Sequence, residues 1–135
     1  MILALCIDDC LGLGFGGRRQ SRDSAVYSDL AAEAAGAPIW MAERSSPLFS
    51  DMKAHIRICG GEFEEAGEGE YCFVEFCSPA FLESRAEKII IYRWNRRYPS
   101  DMKLDIELGA WQLESTADFP GSSHEKITKE VYIRE

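Results

Sequence analysis

Residues 2–7, Ile-Leu-Ala-Leu-Cys-Ile, are apolar at almost every position and stop abruptly at Asp8-Asp9. A strand that offers hydrophobic side chains to both faces has to be covered on both, which is the condition of a parallel sheet held between two outer layers. Ile89-Ile90-Ile91, inside the stretch Lys88 to Trp94, repeats the pattern near the other end of the chain. Two such strands at the centre of one sheet exclude an open antiparallel sheet with a wet face throughout.

The segments between them supply the covering layers. Ser21 or Asp23 caps a helix expected over Ser24 to Ala35, where Val26, Leu30 and Ala34 recur at steps of four and Gly36 ends the run. Pro38 to Met41 reads as a second strand, and Ser46-Pro47 opens a short helix through Met52, with proline where its missing N–H costs nothing. His55 to Cys59 and Tyr71 to Phe76 are strand-like, separated by an acidic surface loop from Glu62 to Gly69. Ser78-Pro79 then starts another helix through Ala86. After Pro99 the period changes to two: Leu104, Ile106 and Leu108, then Trp111, Leu113 and Ser115, then Ile127, Val131 and Ile133 alternate with polar neighbours. Alternation without intervening helices predicts antiparallel strands with one wetter face. The expectation is one α/β domain over 1–135, three layers deep, with a mainly parallel central sheet finished by an antiparallel C-terminal hairpin.

Composition bounds the function. A chain of 135 residues, 46% hydrophobic and 28% charged, is large enough for one real core. Its net charge of −8 repels phosphate backbones, so nucleic acid is not an expected partner. The five cysteines, an odd number, fall partly in apolar runs and read as reduced thiols of a cytoplasmic protein. The N-terminus lacks a basic start, and no apolar run approaches the roughly 20 residues of a membrane span.

The order of elements and the residues that fill them resemble dihydrofolate reductase. Ala4-Leu5-Cys6-Ile7-Asp8-Asp9-Cys10-Leu11-Gly12 is similar to that family's first strand, Ala-x-Ala-x-Asp-x-x-x-Gly, which runs into a mobile loop over the active site. Glu87 to Tyr92 resembles the strand before its final hairpin, and Trp111-Gln112-Leu113, Thr116 to Phe119 and His124 to Arg134 resemble the hairpin itself. The resemblance implies a small-molecule cleft, NADPH as the cofactor, a buried carboxylate at the helix start, and Cys6 and Cys72 facing each other on adjacent strands.

Departures from the family pattern cluster at its ligand contacts. Gly17-Arg18-Arg19-Gln20-Ser21-Arg22-Asp23 replaces the family's Pro-Trp approach to the helix, leaving Asp23 within about one residue of the carboxylate position. Ala42-Glu43-Arg44-Ser45-Ser46 stands for the phosphate-contacting Gly-Arg-x-Thr, keeping an arginine and hydroxyls. Where the family has a Gly-Gly pair that lets bare backbone approach the dinucleotide, this chain has Glu75-Phe76, which obstructs a diphosphate by size and by charge.

Asp23 is therefore the candidate catalytic residue, as a carboxylate able to hold a ring N–H; equally, an acid in a first helical turn is favoured by the helix dipole alone. Arg18, Arg19 and Arg22, with Arg44 and Ser45, are candidate contacts to an anionic or heterocyclic ligand, since guanidinium forks carboxylate and phosphate; a solvated loop is the competing reading. Gly12 to Gly17 satisfies G-x-G-x-x-G, but Asp8-Asp9 and the delayed helix start argue for loop glycines rather than a dinucleotide turn. Tyr92 to Tyr98 interleaves rings and cations, as single-strand binders do, and is read instead as a strand end. No metal is expected from two histidines, His55 and His124, and no Cys-x-x-Cys. Ser122-Ser123-His124 reads as a turn. The expectation is a binding domain that has lost ordinary NADPH chemistry; the alternatives are a working reductase with a reorganised cofactor site, or a structural module whose cleft is filled by side chains such as Phe15, Phe76 or Trp94. The outer edge of the C-terminal hairpin leaves monomer and homodimer both open.

Overall fold

The computed structural model describes residues 1–135. In chain order it contains β1 (Ile2–Ile7), β2 (Gly12–Phe15), β3 (Arg18–Arg19), α1 (Ser24–Ala34), β4 (Pro38–Met41), a 3-10 helix over Glu43–Phe49, β5 (His55–Ile58) and β6 (Tyr71–Phe73). A second 3-10 helix (Pro79–Arg85), β7 (Lys88–Arg93), β8 (Met102–Lys103), a 3-10 turn (Leu108–Ala110), β9 (Trp111–Phe119) and β10 (Ile127–Arg134) complete it.

Seven strands form one sheet in the order β5-β4-β6-β1-β7-β10-β9. β1 is parallel to both neighbours, pairing Leu3 with Cys72 and with Ile89. β10 runs antiparallel to β7 and to β9. The sheet is thus mainly parallel with an antiparallel C-terminal hairpin, as the change of period after Pro99 predicts. Alternation along β1 divides the core. Leu3, Leu5 and Ile7 join Ile89, Ile91, Leu82 and Phe63 on one face. Ile2 and Ala4 join Ile90, Tyr92 and the Val26, Leu30 and Ala34 stripe of α1 on the other. Each face buries 16 residues, which is why β1 is apolar throughout and β7 is apolar across Ile89, Ile90 and Ile91. No helix is long and apolar enough to cross a membrane.

α1 begins and ends as its sequence predicts. Asp23 is the N-cap, accepting from the Ala25 N–H, and Ala35 at φ 49 followed by Gly36 at φ 92 closes it in the left-handed region.

Five expectations need correction. Gly12 to Gly17 does not form a mobile loop but a hairpin, β2–β3, in a second sheet of order β3-β2-β8. Gly16 and Gly17, at φ 61 and 75, form its two-residue turn, a conformation that side chains with a Cβ resist. The helix expected from Ser46-Pro47 starts earlier, at Glu43, and both covering segments, each seven residues long and each containing a proline, wind as 3-10 helices rather than α-helices. Leu104 to Leu108 is no strand; Ile106 is buried, and Leu104 packs beside it from irregular backbone and Leu108 from the start of the 3-10 turn. β6 pairs only as far as Phe73, although the Val74 N–H still donates to the Ala4 carbonyl at 2.9 Å. Cys6 and Cys72 lie on opposite faces of the sheet, because Cys72 pairs with Leu3, an odd number of residues from Cys6.

Candidate functional site

The carboxyl ends of β1, β4 and β6 share one edge of the large sheet, and the β2–β3 hairpin is folded against that edge. Asp8, at the end of β1, directs the hairpin. Its buried carboxylate accepts from the backbone N–H groups of Cys10, Gly12 and Tyr98 at 2.9, 2.7 and 2.9 Å and from the Gln20 amide at 3.2 Å. Burial opposes its charge, but these donors together hold it below the usual carboxylate range. The hairpin is held from outside by Asp101, which donates its N–H to the Gly14 carbonyl and accepts from the Gly16 N–H.

From this hairpin Arg19 reaches across the strand ends. Its Nε and Nη2 donate to the two oxygens of Glu75, each at 2.9 Å, and Nη2 also donates to the Arg44 carbonyl at 3.2 Å. Ser45 Oγ, wholly buried, donates to the same carboxylate at 2.7 Å. Arg44 Nη1 donates to the Gly17 carbonyl, and its guanidinium carbon lies 3.4 Å from the centre of the Phe76 ring. Glu75 keeps only 10% side-chain exposure beneath this cover and Arg19 26%. Three of the residues expected to contact a ligand, Arg19, Arg44 and Ser45, thus converge, and each contacts Glu75 or Phe76 of the chain itself.

Beneath this latch, the Arg19–Glu75 fork with Arg44 and Ser45 on either side, lie Cys6 and Tyr27. The Tyr27 hydroxyl is buried without a hydrogen-bond partner. Burial first, then the charge of Glu75, pushes the Cys6 thiol up; burial, Cys6 and Glu75 do the same to the Tyr27 phenol. Beside the latch a cavity of about 230 Å³ opens between Arg44, Gly60, Gly61, Phe63, Glu75 and Phe76.

Asp23 lies elsewhere. It accepts from the N–H groups of Ser122 and Ser123 at 2.8 and 2.9 Å, from both their hydroxyls, and from the Ala25 N–H. His124 Nδ1 stands 2.9 Å from its second oxygen. Burial disfavours the charge, yet these donors hold the carboxyl far below its ordinary value. His124, itself 5% exposed, is stacked on Trp94 with ring centres 4.8 Å apart and reaches Tyr98 Oη at 2.8 Å and Ser21 Oγ at 3.3 Å through Nε2. Asp23 therefore clasps the start of α1 to the 121–124 loop.

Arg18 and Arg22 are exposed, and Arg22 lines a separate cavity of about 360 Å³ together with Asp23, Ser24, Tyr27, Asp51 and Ser122, so the structure brings Arg22 and Asp23 to one cavity apart from the Arg19–Glu75 pair. Phe15 is 53% exposed on β2, whereas Phe76 sits in the cleft and Trp94 is buried against His124. Tyr92 is buried too and Arg93 is paired with Glu130, whereas Asn95, Arg96 and Arg97 are exposed, so the rings of the interleaved segment fold inward while two of its three cations face outward. No three His, Cys, Asp or Glu side chains come together as metal ligands. The residue that sequence reasoning passes over is His124. Its only signal was that a histidine follows two serines near the chain end, with nothing local to reveal a partner 101 residues away.

Neither a family profile nor any curated protein sequence matches the chain. Among solved structures, a dihydrofolate reductase from Enterococcus faecalis complexed with NADP(H) and RAB-propyl superposes with a TM-score of 0.64. The match spans 100% of this chain and 96% of that one at 12% sequence identity, a likeness of fold.

Proposed function

We propose that this dihydrofolate reductase-like domain binds a small, flat heterocyclic ligand at the strand-end cleft and has given up NADPH-dependent reduction. One observation carries the reading: Glu75 and Phe76 stand where the family pattern calls for bare glycine backbone, and Arg19, Ser45 and Arg44 hold both in place. A diphosphate brought there would meet a carboxylate and an aromatic ring, and the nearby arginines are already committed. Asp23 is in turn so fully hydrogen-bonded that offering an oxygen to a ring N–H would first require breaking the clasp. The solved neighbour was complexed with NADP(H), which keeps a working reductase as the rival. A second reading, a non-catalytic interaction module, draws support from the same self-filled cleft. In either case the domain is taken as cytoplasmic with its five thiols free, and as a monomer or a homodimer joined along β9, the outer strand of the large sheet.

The test is turnover. NADPH oxidation followed by absorbance, with dihydrofolate present, is expected to stay at the rate without protein. Turnover that saturates in both substrates would overturn the proposal in favour of the reductase.

A further inference from the structure

We propose that the cavity beside the latch is a site for a small planar cation, an amidinium or guanidinium group, stacked on Phe76 and donating to Glu75. This names the ligand class of the cleft and rests on the small-ligand reading above.

The chain's own arginines show what these two surfaces recognise. Arg19 presents a planar pair of N–H donors to both oxygens of Glu75, and Arg44 lays a planar cation flat on the ring of Phe76. Both surfaces border the 230 Å³ cavity, enough for a single-ring amidine, and Gly60 and Gly61 leave its mouth without side chains. Glu75 retains capacity: Oε1 accepts from Arg19 and Ser45, but Oε2 from Arg19 alone, leaving a lone pair free.

Arg44 is the cation of the cavity's own lining and Arg19 stands beside it, but beyond Gly61 the surface is acidic. Past Gly61 the wall continues as Glu62, Phe63, Glu64 and Glu65 around an adjoining hollow. Glu62 and Glu64 crowd each other, and hydrogen bonding to Glu64, then its charge, raises the Glu62 carboxyl. A further guanidinium, Arg85, is turned to the backbone carbonyls of Glu62 and Phe63 rather than to these carboxylates. The anion expected from the arginine-rich loop would therefore face acidic walls here.

Benzamidine, with benzamide as the neutral and benzoate as the anionic counterpart, tests the proposal by amide NMR of the whole chain. Benzamidine is expected to move the Gly60, Gly61, Phe76 and Cys77 amides saturably, while benzamide and benzoate leave them in place. Arg19→Gln removes a tethered competitor and should tighten benzamidine binding by roughly tenfold. Glu75→Gln should weaken it by about as much, since a charge-assisted contact becomes neutral. Dispersed spectra certify that each variant is folded; should Arg19→Gln not fold, Arg44→Ala, which bares the Phe76 face, takes its place with the same expected direction. Unchanged benzamidine affinity in folded Glu75→Gln overturns the proposal. If benzoate or inorganic phosphate moves these amides and benzamidine does not, the cation is wrong while the small-ligand reading stands. If none of the probes moves them even in the unlatched variant, both fail.

Discussion

Replacing Asp23 with asparagine is expected to lower stability by about 3–5 kcal/mol, the cost of removing one partner from a buried, fully hydrogen-bonded ionic group. Both carboxylate oxygens of Asp23 are used, by two backbone N–H groups of the 122–123 turn, two hydroxyls, the first turn of α1 and the imidazole of His124. An asparagine offers one acceptor and turns an NH2 group toward the other donors, so several are left buried and unpaired. In a domain of this size the melting temperature should drop by roughly 10–20 °C. The sign of the pH dependence follows from the direction of the shift. Because the folded-state carboxyl is held far below its unfolded value, its contribution is present in full above the unfolded pKa of about 3.9 and is lost progressively as pH falls from there down through the folded-state value. Urea midpoints of wild type and Asp23→Asn should therefore differ widely at pH 7, begin to approach each other only below pH 4, and meet only in strong acid. A pH-independent gap would mean that the loss is steric. Gly121→Ala gives an independent check, since a Cβ there would come within 2.4 Å of Asp23 Oδ2 and 2.7 Å of the His124 carbonyl. Both neighbours are rigidly held, so a penalty of about 1–3 kcal/mol is expected.

The second large effect is at the latch. Arg19→Met should cost about 2–3 kcal/mol, because Glu75, 10% exposed, would keep its charge with only the Ser45 hydroxyl to offset it. The figure is set below that of a wholly buried pair because Arg19 remains 26% exposed and solvent screens it. Arg19→Met with Glu75→Leu should recover most of the loss, since the double variant removes the uncompensated charge along with its partner. Urea melts of the four proteins give the coupling energy directly, expected at about 1.5–3 kcal/mol. Hydrogen exchange adds a local readout: the paired amides of β2 and β3 should exchange faster in Arg19→Met than in the double variant. Equal stability of wild type and Arg19→Met would show that the pair is ornamental and that Asp8, Asp101, Arg44 and the pairing with β8 suffice to hold the hairpin.

The fold was legible wherever burial dictates residue type. β1 and β7 had to be apolar on both sides, α1 carries its stripe and its stop signal, and β9–β10 alternate, so the sheet could be outlined from local pattern. Local pattern failed where tertiary contacts choose among short conformations. Gly12 to Gly17 suits a loop as well as a hairpin, and only pairing with Met102–Lys103 and the donors gathered by Asp8 select the hairpin. Seven-residue segments such as Glu43–Phe49 do not announce whether they will wind as α or 3-10.

At the cleft, the residue types were readable but not their partners. Arg19, Arg44 and Ser45 looked like ligand contacts because guanidinium and hydroxyl groups suit anions; that Glu75 meets Arg19 from 56 residues away is a property of the sheet order. That Glu75-Phe76 replaces a glycine pair is plain in the sequence; that the two side chains obstruct a dinucleotide is what is proposed. Asp23 illustrates the opposite limit: its position at the helix start was plain, while the serine and histidine donors that consume it lie a hundred residues on.

Whether Glu75 and Phe76 close the dinucleotide's place is tested most directly by a crystal structure of the protein soaked in millimolar NADPH. The expected result is an unbroken Arg19–Glu75 fork, Arg44 still flat on Phe76, and no diphosphate density at the end of β6. A diphosphate seated against the Glu75–Phe76 backbone, with Arg19 turned to its oxygens, would contradict it.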